Sequence, residues 1–337
     1  MENSSRHSST VTDNNPRTLR VGSWNIGTLT GNSIELVKIL KKRKINIACI
    51  QETKWLGTNT KDVDGLKLWF SRKSRSRNGE GILVDRDLRD QVVEIRRVDD
   101  RVMTINLVLG GITLNVINAY APQAGLDKED KRRFWEDLDK VVRGIPLTEK
   151  LLIGGDFNGH IGSFSNRYDD IHGSFDFGDR GEGGVSLLDF VNAFELVTAS
   201  SSFQKREQHL VTFRSVMAKT QIDYLLLQKG DRGLCKDFKV IPSENISTQH
   251  KLVDMDLEIR KKKKKKRVQY DQPRIRWGGM TGGKAQEIRM KLVGMGAWGS
   301  SGDTNSMWAR TAGCIREAAR EVLGVSKGCT SRHQGDW

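Results

Sequence analysis

Six short segments carry side chains suited to one reaction: Ser23-Trp24-Asn25, Ile50-Gln51-Glu52-Thr53, Asn118-Ala119-Tyr120-Ala121-Pro122, Gly154-Gly155-Asp156-Phe157-Asn158-Gly159-His160, Gln221-Ile222-Asp223-Tyr224 and Thr248-Gln249-His250. Cleaving a phosphodiester requires neutralising the non-bridging oxygens, aiming a water in line and supporting the leaving oxygen. Glu52 is the best metal ligand, with the amide of Asn25 beside it, because Mg²⁺ keeps several waters and needs only one or two carboxylates. Asp156 lies among Gly154, Gly155 and Gly159, where backbone can approach a phosphate closely, and can orient or deprotonate the attacking water. Asn158, two residues on, faces the same side of an extended chain and can hold both the phosphate and Asp156. Asp223 can fix the tautomer of His250, whose cation stabilises a pentavalent phosphate, and Tyr120 can hydrogen-bond the phosphate.

Each residue also has a plainer reading. Glu52 alone is a surface carboxylate, Asn158-Gly159 a plain turn, and Tyr120 near Pro122 simple packing. His160, His172 and His209 compete with His250, and sequence does not show that Asp223 and His250 touch. The joint order favours a site, because the early segments follow apolar runs of strand character: Leu19-Arg20-Val21, Ile45 to Ile50, Ile112 to Ile117 and Leu151-Leu152-Ile153. Side chains from several strands would then converge on one rim.

The elements that must place them follow from periodicity. Strands are expected at Thr18 to Asn25, Ile45 to Ile50, Leu66 to Ser71, Gly81 to Val84, Val92 to Val98, Met103 to Leu109 and Ile112 to Asn118, with Gly110-Gly111 a hairpin turn. Further strands are expected at Leu151 to Gly155, Leu196 to Thr198, Leu210 to Arg214, Gln221 to Gln228, Phe238 to Ile241 and Val253 to Ile259. Helices are expected at Ser33 to Lys44, with Ser33 as N-cap, at Asp127 to Val142 and at Val185 to Phe194. Residues 162 to 184 read as a long surface loop beside Asp156. Mixed hairpins and helices predict an α/β fold with two packed mixed β-sheets flanked by helices, rather than a doubly wound parallel sheet.

The 337 residues suit one large domain at 18–260, after a disordered leader at 1–17 and before a basic linker at 261–267. Residues 268–337 are expected to be a largely disordered basic tail, with Ala312 to Leu323 a short helix. The net charge of +14 is local: residues 261 to 337 hold 17 Lys and Arg against 6 Asp and Glu, a net +11, leaving +3 for the rest. DNA affinity in the core must therefore come from a patch, such as Arg72, Lys73, Arg75 and Arg77, or Lys205 and Arg206, while the tail serves as a salt-sensitive anchor. A solvated loop is the alternative for either patch. No apolar stretch approaches the roughly 20 residues of a membrane span, and the leader has no apolar signal segment, so an intracellular protein is expected. Cys49, Cys235, Cys314 and Cys329 lack the spacing of a zinc site or disulfide scaffold, and reduced thiols are expected. The Lys261 to Lys266 run also suggests nuclear entry.

The segments S-W-N-I-G-T-L, A-C-I-Q-E-T-K-W, R-N-G-E-G-I-L-V-D, N-A-Y-A-P-Q, G-G-D-F-N-G-H-I-G, K-R-E-Q-H-L-V-T-F-R-S, Q-I-D-Y and T-Q-H-K-L together resemble the endonuclease/exonuclease/phosphatase superfamily, which includes DNase I and the apurinic endonucleases. The resemblance runs from about Thr18 to Arg260 and is strongest to RTE-type non-LTR retrotransposon endonucleases and craniofacial development protein 2-like sequences. It implies a four-layered α/β sandwich of the DNase I kind, dependence on Mg²⁺ with Mn²⁺ a substitute, and nicking of DNA to leave a 3′-hydroxyl. It places the family's functional residues on Asn25, Glu52, Tyr120, Asp156, Asn158, Asp223 and His250; Arg180 joins the basic residues above as a candidate DNA contact. A monomer with DNA as partner and no organic cofactor is expected.

Departures from that pattern are specific. Gly27 and Gln249 stand where many relatives carry Asp, which weakens the case for a second metal, although Gln-His resembles the retrotransposon branch itself. Gly181 stands where an Asn is usual, and Glu80 where an apolar residue is usual. An unpaired Glu80 must reach solvent or destabilise the fold. The tail resembles a linker preceding a reverse transcriptase, and the chain has no Tyr/Phe-Ala-Asp-Asp motif, so a truncated or domesticated fragment is expected. Two other functions remain open: an inositol-phosphate or lipid phosphatase of the same fold, and a non-catalytic DNA- or chromatin-binding protein.

Overall fold

A computed structural model describes residues 17–72, 78–162, 180–206, 209–216, 218–242, 244, 246, 249–259, 274–296 and 304–326. Residues 1–16 of the expected leader, most of the 162 to 184 loop, the basic linker, Lys73, Arg75, Arg77, His172 and Cys329 lie outside them, whereas Arg17, assigned to the leader, begins the first strand. The chain divides into two units, Met1–Lys262 and Lys263–Trp337.

In the first unit the apolar runs become two sheets. Strands β1 (Arg17–Asn25), β2 (Ile47–Gln51), β3 (Gly57–Val63), β4 (Leu66–Arg72), β5 (Glu80–Val84), β14 (Cys235–Val240) and β15 (Val253–Ile259) form one, in the order β14-β15-β1-β2-β5-β4-β3. Strands β6 (Val92–Arg97), β7 (Val102–Leu109), β8 (Ile112–Tyr120), β9 (Lys150–Asp156), β10 (Leu196–Thr198) and β13 (Asp223–Gln228) form the other, in the order β10-β13-β9-β8-β7-β6. A separate short hairpin pairs β11 (Phe213–Arg214) with β12 (Lys219–Thr220). Each large sheet has one parallel pair, β1 with β2 and β8 with β9, and its other pairs are antiparallel.

Four layers result. Side chains such as Val21, Ile47, Ile82, Ile105, Val116 and Met255 fill the space between the sheets. Helix α1 (Ser33–Lys42) packs Leu36, Val37 and Leu40 over the outer face of the first sheet. Helices α2 (Lys128–Arg143) and α3 (Glu182–Ala193) cover the second with Phe134, Leu138, Leu187 and Val191. Every residue of β2 is buried, because that strand sits in mid-sheet between two packed faces.

Local signals account for most boundaries. Asp127 caps α2 by accepting a hydrogen bond from Asp130 N. Gly110 and Gly111 both adopt positive φ, as a tight hairpin between β7 and β8 requires. Helix α1 ends earlier than its periodicity suggests, because Lys44 turns left-handed at φ 57° and Ile45 N donates to Leu40 O, closing a Schellman-type cap. Ser33 is not the N-cap of that helix; Asn32 occupies the position and makes no side-chain cap bond. The expected strand at Leu210 to Arg214 shrinks to Phe213–Arg214.

Glu80 does not reach solvent. It is fully buried at the start of β5, directly opposite Gln51 on β2 and Ser71 on β4, and neither carboxyl oxygen has a hydrogen-bond partner among the described residues. Burial, reinforced by Asp99, raises its pKa well above the ordinary 4.5 although Arg101 opposes the shift. The native state therefore holds this proton more tightly than the unfolded chain does, and stability from this group is lost as pH rises above 4.5. Glu80→Gln should lose less melting temperature than wild type between about pH 5 and about pH 8. Thermal melts at the two pH values check this, and equal losses would contradict the buried acid.

The second unit contains α4 (Gly282–Gly294), α5 (Thr304–Leu323) and the two-residue strands β16 (Arg274–Ile275) and β17 (Val325–Ser326), which pair antiparallel. Ile288, Ala318, Ala319 and Leu323 form its small core. This is more helix than the sequence suggests: α5 starts upstream of Ala312, and α4 has only a weak apolar periodicity.

Candidate active site

Strand direction gathers the chemistry at one rim. Asn25, Tyr120 and Asp156 end β1, β8 and β9, and Glu52 directly follows β2. Asp223 begins the antiparallel β13, and His250 comes shortly before β15. Register finishes the placement: Tyr120 is opposite Asp156, and Asp156 is opposite Asp223, so these three side chains share one face of adjacent strands.

One continuous network joins all seven predicted residues. Asn25 Nδ2 donates to Glu52 Oε1 at 3.1 Å and to Asp156 Oδ2 at 3.0 Å, while its Oδ1 accepts from Gly27 N at 3.1 Å. As oriented, Asn25 bridges the two carboxylates through its nitrogen. Tyr120 OH donates to Glu52 Oε1 at 2.9 Å. Asp156 Oδ1 accepts from Asn158 N at 3.0 Å, and Asn158 Nδ2 donates to Ala121 O at 2.9 Å. His250 Nδ1 lies 3.1 Å from Asp223 Oδ2, and Nε2 lies 3.8 Å from Asp156 Oδ2.

Backbone strain concentrates here. Glu52 at φ 54°, Lys54 at φ 54° and Asn158 at φ 47° are left-handed non-glycine residues. Such conformations cost about 1–3 kcal/mol and persist where the surroundings hold them, commonly at functional sites. The turn at Glu52 carries its carboxylate from the end of a fully buried strand toward Tyr120 and Asn25.

Electrostatics assign the protons. Burial disfavours the His250 cation, but Asp223 outweighs it, with Asp156 and Glu52 adding, and the pKa rises to about 9. Desolvation and the Asp223 charge raise Asp156 above an ordinary aspartate, against lowering by His250, Asn25 and Asn158. Desolvation and then Glu52 keep the Tyr120 phenol protonated, so it acts as a donor. At neutral pH the site thus presents an imidazolium, with Asp223 at its Nδ1 and Asp156 near its Nε2. Asp223→Asn removes the main support of that cation, so any loss of activity caused by His250 deprotonation should move to lower pH than in wild type. A pH–rate profile of the two proteins checks this, and an unmoved alkaline limb would contradict the assignment.

The donor set suits a hard divalent cation. Glu52 and Asp156 place carboxylate oxygens on either side of Asn25, and gathering buried anions without a full complement of positive charge is what such an ion relieves. Asp156, Asp223 and His250 each bring a ligand atom within 4.8 Å of one another, so this trio also has metal-ligand spacing.

Residues that the sequence reading missed complete the surroundings. Lys54 Nζ pairs with Glu52 Oε2 at 3.1 Å, and its signal was its place two residues after Glu52. Arg101 stacks over the Tyr120 ring at 5.2 Å and donates to Tyr120 O, fixing the end of β8. Both line a cavity of about 740 Å³ that opens beside Glu52 and Tyr120. Phe213 meets the His250 ring edge-on at 4.8 Å. Of the competing histidines, His160 lines a different cavity beside Asn158, and burial lowers its pKa.

The predicted DNA contacts are scattered. Arg180 donates from Nε to Ile161 O at 2.9 Å, and Lys205 pairs with Asp237 at 2.9 Å while lying over Phe203. Arg206 is exposed, and Arg72 ends β4 with its side chain outside the described set. Gly181, where the resemblance expects Asn, is the N-cap of α3 and offers no side-chain bond.

The family model described as Endonuclease/Exonuclease/phosphatase family matches residues 22–204, more than half of the chain. The chain belongs to the endonuclease/exonuclease/phosphatase family. Among curated proteins it is similar to craniofacial development protein 2 of Bos taurus, at 28% identity over 237 residues covering 69% of this chain and 40% of that protein. The same protein of Tragulus javanicus is also 28% identical over 237 residues, 41% of its length, so the chain spans well under half of these relatives. Solved structures of the family's fold superpose on it. The endonuclease domain of TRAS1, a telomere-specific non-LTR retrotransposon, gives TM-score 0.55 at 17% identity, covering 72% of this chain and 99% of that one. An AP endonuclease from Archaeoglobus fulgidus gives TM-score 0.56 at 19% identity, covering 72% and 100%. These likenesses bear out the four-layered, DNase I-like architecture read from the sequence.

Proposed function

We propose that this chain is a Mg²⁺-dependent phosphodiester hydrolase of retrotransposon origin that nicks DNA and leaves a 3′-hydroxyl. The observation that carries the proposal is the single network running from Tyr120 through Glu52, Asn25 and Asp156 to His250 and Asp223. Family membership supports phosphodiester chemistry. The likeness to a retrotransposon endonuclease domain and to AP endonucleases, with the basic tail, favours DNA over a small phosphate ester.

In this reading Glu52, with Asp156 beside it, would hold the cation, for which Mn²⁺ can substitute, and the bound ion would supply positive charge for the non-bridging oxygens of the phosphate. Asp156, held by Asn25 and Asn158, aims and deprotonates the attacking water, and its raised pKa suits a base working near neutral pH. His250 stays cationic against Asp223 and supports charge on the phosphate oxygens. Tyr120, fixed by Arg101, donates toward the phosphate. The protein acts as a monomer and works in the nucleus, with the tail as a sequence-independent anchor.

A direct comparison of duplex DNA with inositol phosphates tests the substrate class. Cleavage of DNA alone, giving nicks that a polymerase extends, is expected. Hydrolysis of inositol phosphate without DNA cleavage would replace this reading with the phosphatase one.

A further inference from the structure

Three cations outside the network gather on the His250 side of the rim. Arg214 and Lys219 are directly opposed across the β11–β12 hairpin. The hairpin is stitched to the segment carrying His250: Arg214 N donates to Gln249 O at 2.9 Å, Lys251 N donates to Thr212 O at 2.7 Å, and Phe213 bridges His250. Arg214, His250 and Lys251 line one cavity of about 250 Å³. Glu244, the carboxylate on that cavity wall, is taken by Arg43 and Lys42.

Among the described residues none of the three cations has an ion-pair partner, although Arg214 and Lys219 are exposed and Lys251 half-buried. Like charges directly opposed across a hairpin are destabilising. Burial, and then the charges of Arg214 and Lys219, push the Lys251 ammonium below its ordinary pKa. Lys205 and Lys54, by contrast, are neutralised by Asp237 and Glu52. A mutually repelling trio without an acid, fixed beside a phosphate-directed imidazolium, is a surface that an anion would relieve.

We propose that Arg214, Lys219 and Lys251 form a clamp for a backbone phosphate of the nucleic-acid substrate, flanking the cleaved bond on the His250 side. The inference rests on the reading of the chain as a DNA-cleaving enzyme. Arg214 offers a planar fork that can hold two phosphate oxygens, and the two lysines add point charges. Contacts of this kind set the register of the strand without reading its sequence, so these are positioning residues.

The test uses the full chain with all three changed to Gln (Arg214→Gln, Lys219→Gln, Lys251→Gln), a charge-keeping triple (Arg214→Lys, Lys219→Arg, Lys251→Arg), and Lys38→Gln on the outside of α1 as control. Binding of a fluorescent duplex in EDTA is followed against salt concentration. The Gln triple should flatten the log–log salt dependence by about 1 to 3 and weaken binding about tenfold or more at low salt. The charge-keeping triple and Lys38→Gln should retain the wild-type slope. With the metal present, the Gln triple should raise KM for DNA far more than it lowers kcat. A Gln triple with wild-type slope and affinity overturns the clamp. If wild type binds DNA but cuts none, the enzymatic reading fails while the salt slopes still decide the clamp.

Discussion

Replacing Asp156 with asparagine is expected to lower the rate of DNA cleavage by about two to four orders of magnitude, the usual range for losing a positioned general base. Asp156 is buried, shares a hydrogen bond with Asn25, accepts another from Asn158 N and lies 3.8 Å from the His250 ring. Asparagine fits the same volume but cannot take a proton from water, and it removes one of the charges that keep His250 cationic. The fold should survive, because the substitution leaves the strand and its packing in place. Single-turnover rates with saturating DNA, alongside circular dichroism and melting of both proteins, make the check. A folded Asp156→Asn protein cutting at the wild-type rate would remove Asp156 from the chemistry.

The second large effect is on stability. Gly155 lies in β9 between Gly154 and Asp156, and a Cβ built there would stand 2.0 Å from Ala119 O on the neighbouring strand β8. Neither side can yield easily, because the clash is with backbone in mid-sheet. Gly155→Ala should therefore cost about 3 kcal/mol or more, or prevent folding, by forcing apart the parallel pair that aligns Tyr120 with Asp156. Denaturant unfolding of wild type and variant reads this out. An Ala variant as stable as wild type would mean that β8 and β9 do not approach so closely. Activity should fall with stability, since the same separation would move two site residues.

Much of this was legible in the chain because the site lies where buried strands end. Apolar runs located β1, β2, β8 and β9, and polar residues just beyond each run were therefore expected on one rim, where Asn25, Glu52, Tyr120 and Asp156 are found. Strand β3 was missed because six of its seven residues are exposed, so Gly57 to Val63 has no apolar alternation to read. The β11–β12 hairpin was only half legible: the expected strand at Leu210 to Arg214 contains β11, but β12 is two polar residues that read as loop. The Lys251 environment was invisible for a related reason: it depends on Thr212 and Arg214 of that hairpin pairing with Lys251 and Gln249, a contact between distant segments. Glu80 was flagged because the resemblance expects an apolar residue there, but only the sheet register shows it facing Gln51 and Ser71 without a hydrogen-bond partner among the described residues. Charge counting found the basic tail, yet it could not separate Lys205, which Asp237 neutralises, from the unpaired Arg214.

The most direct test of the central claim is nicking of supercoiled plasmid by the purified chain with Mg²⁺ or with EDTA, beside Asp156→Asn and His250→Ala. Nicking by wild type that requires the metal and is lost in both folded variants is the predicted result. Folded wild type that binds the plasmid and leaves it intact in Mg²⁺ and in Mn²⁺ would contradict it, and would leave the domain as a DNA-binding module with a preserved but silent site.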